Sequence, residues 1–205
     1  MNPVTALQLA DWRRKTAALY ARVREQADPE AAHALWRDGR DQMMRFHPQS
    51  PLPPADPMRA SGVPYWPYDP ALRWTVRVEP VSRPQTLASD TGPDGVTRLE
   101  QVGWVMFADP VGPRVALWQL GQYGGGLFLP LRDATAGTTS YGGGRYLLDT
   151  AKGADLGSVG GALVVDLNFL YSPSCRYDSR WICPLAPNDN TIDMSVTAGE
   201  CLAPP

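Results

Sequence analysis

The stretch Leu72-Arg73-Trp74-Thr75-Val76-Arg77-Val78-Glu79 decides the fold class. Apolar residues at 72, 74, 76 and 78 alternate with polar ones at 73, 75, 77 and 79. Successive side chains of a strand point to opposite faces, so this pattern reads as a half-buried β-strand. Downstream, further strands are expected near 96–107, 114–120, 127–132, 141–149, 162–170 and 192–198. Asp109-Pro110, Gly112-Pro113 and Ala134-Thr135-Ala136-Gly137 mark turns between them, and Ser89 to Gly95 reads as a turn or exposed loop. No helical run separates these segments, which disfavours a parallel sheet with crossover helices. The expected fold is mainly β (α+β), with N-terminal helices packed on an antiparallel β-sandwich or a partly closed barrel.

Upstream, the period changes to that of a helix. Leu9, Trp12, Thr16, Leu19, Tyr20 and Val23 recur at helical spacing. Thr5 and Gln8 stand at capping-box spacing before them, with Val4 and Leu9 placed as a hydrophobic staple. Asp28 suits a second N-cap and Pro29 the first helical position. Leu35, Trp36, Met43 and Phe46 follow, and His47-Pro48 ends the run. His47 therefore reads as a helix-end residue rather than a catalytic base. Residues 48 to 70 hold eight prolines and close on Tyr65, Trp66, Tyr68 and Asp69. That aromatic content predicts an ordered strap rather than a free linker. The chain thus divides into a helical segment (1–47), a strap (48–70) and a β body (71–205) of a single domain.

Composition excludes several functions. At 205 residues, 43% hydrophobic and 20% charged, the chain is that of an ordinary globular protein. A net charge of −2 gives no field favouring nucleic acid or anionic membranes. No apolar run reaches the roughly 20 residues that span a bilayer, and no signal-peptide pattern opens the chain, so the expectation is soluble and cytoplasmic. The cysteines, Cys175, Cys183 and Cys201, are too few for a disulfide scaffold.

The chemistry concentrates between Tyr123 and Asn190. Arg132 and Arg145 each border a glycine- or threonine-rich turn, where guanidinium groups and exposed backbone N–H groups can hold an anion. The competing reading is a twisted hairpin with Arg132 or Arg145 paired to Asp133 or Asp149. Parity sets Asp166 and Asn168 on one face of an apolar strand, where they either pin the neighbouring loop or line a cleft with Tyr141 and Arg145. The candidate ligand-binding set is Arg132, Asp133, Tyr141, Arg145, Tyr146, Asp166, Asn168 and Tyr171, and the expected ligand is a small anionic molecule. No cofactor motif is present: the glycine triplets match neither a P-loop nor a dinucleotide fingerprint. Cys175 and Cys183 form a candidate thiol pair that could simply pack, form a disulfide or, least favoured, take part in a zinc site. No metal is expected. A protein-interaction module built on the strap and a cysteine-dependent enzyme or hydrolase are the alternatives.

Several motifs resemble the bacterial and archaeal family Domain of Unknown Function 1684. They are Arg40-Asp41, His47-Pro48-Gln49-Ser50-Pro51-Leu52 and Tyr65-Trp66-Pro67-Tyr68-Asp69-Pro70, then Arg132-Asp133-Ala134-Thr135-Ala136-Gly137 leading into Ser140-Tyr141-Gly142-Gly143-Gly144-Arg145-Tyr146. Asp166-Leu167-Asn168, Tyr171-Ser172-Pro173-Ser174-Cys175-Arg176-Tyr177 and Cys183-Pro184 complete the pattern. The resemblance implies no particular activity. Ser172 replaces the family's usual Asn, and Asp189 its usual Glu.

Overall fold

The structure is a computed structural model and describes residues 2–92, 95–108, 112–121 and 123–203. The turn expected at Asp109-Pro110, and Pro93-Asp94 of the expected loop, lie outside the described residues. Helix α1 spans Pro3–Glu25 and α2 spans Pro29–Phe46. The cap of α1 is Asn2, whose side chain accepts from the Thr5 N–H, and Pro3 takes the first position. The capping box expected at Thr5 and the staple expected at Val4 are therefore corrected: the helix has already begun there, and Val4 is exposed. Asp28 caps α2 by accepting from Glu30 N–H, and His47 terminates it. Phe46 was expected on the buried face but is 73% exposed, while His33 takes a core position beside Trp36.

The strap contains one short helix, α3 (Met58–Ser61), and buries Tyr65 and Trp66. Arg59 ties it down by donating to the carbonyls of Arg45, Leu52 and Pro53. The β body holds β1 (Arg73–Val76), β2 (Thr86–Asp90), β3 (Val96–Met106), β4 (Arg114–Leu120), β5 (Leu127–Leu131), β6 (Arg145–Asp149), β7 (Ser158–Val159) and β8 (Ala162–Asp166). Every pairing between these strands is antiparallel, in a three-stranded sheet ordered β1-β8-β7 and a five-stranded sheet ordered β2-β3-β4-β5-β6. The protein thus has an α+β fold with its N-terminal helices packed on sheet.

Three element readings change. Ser89 and Asp90 belong to β2, paired with Thr97 and Val96, rather than to a loop. The expected strand at 162–170 stops at Asp166, because its carboxylate accepts from Asn168 N–H and turns Leu167–Phe169 into a 3-10 segment. The expected strand at 192–198 is not one. Its backbone groups are taken by side chains: Asp133 accepts from Val196 N–H, and Arg145 donates to the carbonyls of Val196 and Ala198.

The main core joins both long helices, the strap and both sheets, with Trp36, Leu129, Leu148, Val165 and Phe169 among its members. A smaller cluster, including Leu99, Trp118, Phe128 and Tyr146, forms a separate apolar group on the five-stranded sheet. The chain around Asn190 is held there by side-chain bonds. Trp118 Nε1 donates to Asn190 Oδ1 at 2.7 Å, and the Asn190 amide donates to the carbonyls of Ala116 and Pro130.

Candidate functional site

The turn after β5 and the start of β6 place Arg145 opposite Asp133, with Nη2 2.8 Å from Oδ2 and neither side chain meaningfully exposed. The guanidinium also donates to the carbonyls of Val196, Ala198 and Glu200. Asp133 accepts further bonds from the hydroxyl and N–H of Thr135. Burial alone would raise the Asp133 carboxyl, but Arg145 and the Thr135 bonds outweigh it and hold the group low. Arg145 is 0% exposed, so it joins a buried ion pair and faces no ligand cleft. Arg132 is exposed, and its Nε donates to the Gly142 carbonyl. The two arginines expected to converge on an anion therefore do not.

Asp166 and Asn168 also sit elsewhere than expected. Both are fully buried, and β8 belongs to a different sheet from β6. Asn168 accepts from Asp69 N–H and donates to Asp69 O, while Asp166 meets Arg73 at 3.3 Å. Burial raises the Asp166 carboxyl despite these partners. Together they pin the end of the strap, not the cysteine loop and not a wall shared with Arg145. The expected strand at 141–149 is shortened too: β6 begins at Arg145, and Tyr141 precedes it outside the strand.

A cleft does form, on the seam between the helices and β6. Trp12, Tyr20 and Trp36 from the helices face Tyr146, Asp149 and Lys152 from the β body, with Tyr171 and Cys183 also on its wall. The cavity volume of the cleft is about 70 Å³. Tyr146 and Tyr171 are locked together by reciprocal backbone hydrogen bonds and a T-shaped ring contact at 5.8 Å. Asp149 Oδ2 meets Lys152 Nζ at 3.2 Å. Asp149 Oδ1 is buried and has no hydrogen-bond partner among the described residues. Of the residues singled out in the sequence, Tyr146, Tyr171 and Cys183 meet here.

Behind one wall lies a charge cluster that sequence reasoning missed. Glu200 is fully buried and receives Arg40 Nε at 2.5 Å, the Ser172 N–H at 2.7 Å and the Tyr177 hydroxyl at 2.7 Å. Arg176 stands 3.8 Å away. Burial would raise the Glu200 carboxyl, yet Arg40, Arg176 and these bonds hold it low. Arg40, stacked 4.8 Å over the Tyr171 ring, fixes that cleft wall. Arg40 was visible within a motif, but nothing local in the sequence joins it to a glutamate 160 positions later.

The thiol pair sits at the rim. Cys175 and Cys183 are half-buried free thiols near enough to shift each other's ionisation, and the Tyr141 hydroxyl lies 3.6 Å from Cys175 Sγ. Donation from Cys183 and Tyr141 draws the Cys175 thiol down to about 6 against the opposing effect of burial. The same contact, with burial, pushes Cys183 up. Tyr141 rises to about 12 through burial and the neighbouring Cys175. Tyr65 and Trp66 are buried, so the strap offers no aromatic face there for a partner.

An α+β protein with a helix–sheet cleft beside a thiol pair is the class these features define. The chain belongs to the family described as protein of unknown function (DUF1684), whose model matches residues 59–201. It is similar to an uncharacterised protein of Haloarcula marismortui solved by solution NMR. The two are 33% identical with a TM-score of 0.57, over 80% of this chain and 89% of that one. A comparison with curated proteins gives no match. Among the described residues, no helix is long and apolar enough to cross a membrane.

Proposed function

We propose that this protein binds a small organic molecule in the helix–sheet cleft, and that the ligand carries an N–H or O–H donor on a flat apolar body. The observation that carries this reading is Asp149: it lines the cleft, and its buried Oδ1 lacks a partner among the described residues. A buried polar atom left unmatched costs on the order of 1–3 kcal/mol, more when charged, so the Asp149 oxygen calls for a donor. The equally unpartnered Tyr20 hydroxyl on the same cleft can give or accept a hydrogen bond. Trp12, Tyr20, Tyr146 and Tyr171 supply aromatic surface for a flat ligand. The cations on the wall are already engaged, Arg40 with Glu200 and Lys152 with Asp149. This favours a neutral or cationic donor over the anion expected from Arg132 and Arg145.

Catechol and aniline are suitable probes, with benzoate as the anionic comparison. Titration followed by indole fluorescence and by proton NMR of the aromatic residues should show catechol or aniline perturbing Trp12 and Tyr171. An Asp149→Ala variant that stays folded should lose that response. Binding of benzoate alone, abolished by Arg132→Ala and indifferent to Asp149→Ala, would overturn the reading.

A further inference from the structure

The loop from Ser174 to Pro184 folds back so that the thiols at its two ends lie near enough to act on each other. Cys175 lies in a 3-10 turn, Trp181 N–H closes a turn onto Asp178 O, and Arg180 pairs with Asp178 at 3.1 Å. The returning chain brings Cys183 near enough for its side chain and backbone to favour a thiolate at Cys175. The Tyr141 hydroxyl approaches the same sulfur at 3.6 Å. Several donors around one sulfur stabilise its thiolate, and both thiols are partly open to solvent. The third cysteine differs: Cys201 is buried, and its thiol donates to Ala203 O at 2.9 Å.

We propose that Cys175 and Cys183 are a redox-active dithiol that exchanges with low-molecular-weight disulfides, Cys175 attacking and Cys183 resolving. Cys175 thiolate attacks one sulfur of the small disulfide, forms a mixed disulfide and expels one thiolate. Cys183 then loses its proton to solvent and attacks the Cys175 sulfur. The protein disulfide forms and the second small thiolate leaves, so one disulfide is reduced to two thiols as the protein dithiol is oxidised. The order of attack follows from the contact itself. Cys183 is held protonated chiefly by its hydrogen bond to Cys175. Once Cys175 is in a mixed disulfide, that negative acceptor is gone and Cys183 can ionise. Because Cys183 is part of the cleft wall, the disulfide also alters the surface a ligand meets.

The test uses the full chain, reduced and then equilibrated at pH 7 in glutathione buffers of graded reduced-to-oxidised ratio. Samples are acid-quenched, alkylated and mapped by mass spectrometry. Cys175 and Cys183 should lose alkylation together, in one transition with the slope of a two-electron couple, and recover on reduction. Cys201 should label only after unfolding. Cys183→Ser should accumulate a glutathione adduct on Cys175. Iodoacetamide labelling of Cys175 in the wild type should rise with a midpoint near 6, and Tyr141→Phe should slow it several-fold at that pH. If Cys175 and Cys183 stay alkylatable at every ratio, or wild-type Cys175 stops at the glutathione adduct, the proposal is wrong. Should Cys183→Ser fail to fold, the wild-type titration decides alone.

Discussion

Arg145 and His33 show what a buried ionisable side chain does in this fold. Removing Arg145 leaves the Asp133 carboxylate buried and unpaired and strands three carbonyls. Arg145→Met should therefore cost about 3–5 kcal/mol, read as a lower urea midpoint. Arg132→Ala, at an exposed side chain, should change stability by about 0.5 kcal/mol or less. The sequence could not separate these two arginines, since each stands beside a turn with an aspartate nearby. The groups that settle it, the carbonyls of Val196, Ala198 and Glu200, lie more than 50 positions away from Arg145. His33 gives a pH signature. Burial, helped by nearby Arg37, lowers its pKa to about 4 from an ordinary 6.5. Between those values the unfolded chain binds the proton and the native state does not. Stability is therefore full above about 6.5 and falls as pH drops toward about 4, by up to about 3 kcal/mol. Glu200 and Asp133, both held low, lose their contribution only as pH falls through the carboxylate range. Urea unfolding from pH 7 to pH 5 should show the slope, and His33→Leu should flatten it. An unchanged slope in that variant would assign it to other groups.

At the scale of elements, self-contained local signals divide: the Asp28 cap is present, whereas the capping box at Thr5 is pre-empted by Asn2, which starts α1 earlier. Asp28-Pro29 starts α2 because both the cap and the first-turn proline act within a few residues, and Asp28→Ala should cost about 1 kcal/mol. The alternation that reads as β1 follows from which face is buried. Segments stabilised by side chains from elsewhere were misread. Residues 192–198 alternate like a strand, yet Asp133 and Arg145 occupy the backbone groups a neighbouring strand would need. The cleft was half legible for the same reason. Tyr146 and Tyr171 fall within motifs, whereas Trp12, Tyr20 and Trp36 read only as helix faces. The strap is anchored at its start by Arg59, as it is at its end by Asn168. Arg59 satisfies three carbonyls of the turn that carries the chain out of α2. Arg59→Ala should speed thermolysin cleavage near Leu52 and Met58 several-fold while leaving β3 and β4 protected from hydrogen exchange. Equal cleavage rates would mean the prolines and buried aromatics hold the strap unaided.

At the scale of the whole molecule, the cleft exists only because α1 lies close against the chain after β6. A close approach is at Gly153, which has φ +87 and no room for a side chain. A Cβ there would come within 2.8–2.9 Å of the Ala17 backbone, which belongs to α1 and cannot swing aside as a side chain can. The left-handed backbone adds strain for any other residue, and for a β-branched one most of all. Two turns further along α1, Arg24 donates to Asp155 O at 2.5 Å, which fixes the helix along the same seam. Gly153→Val should therefore lift α1 without touching the pairing of β3 with β4. The helix supplies Trp12, Thr16, Leu19 and Tyr20 to the cleft, so displacing it removes one wall and leaves Asp149 open to water. Two measurements should move together. Amide exchange in α1 should rise toward that of a frayed helix, and the response to catechol or aniline should fall. Exchange in β3 and β4 should hold, because none of their hydrogen bonds passes through Gly153. Unchanged α1 protection in Gly153→Val would show that the chain after β6 moves instead, with the helix the fixed partner. If α1 loosens and probe binding survives undiminished, the ligand does not sit between helix and sheet.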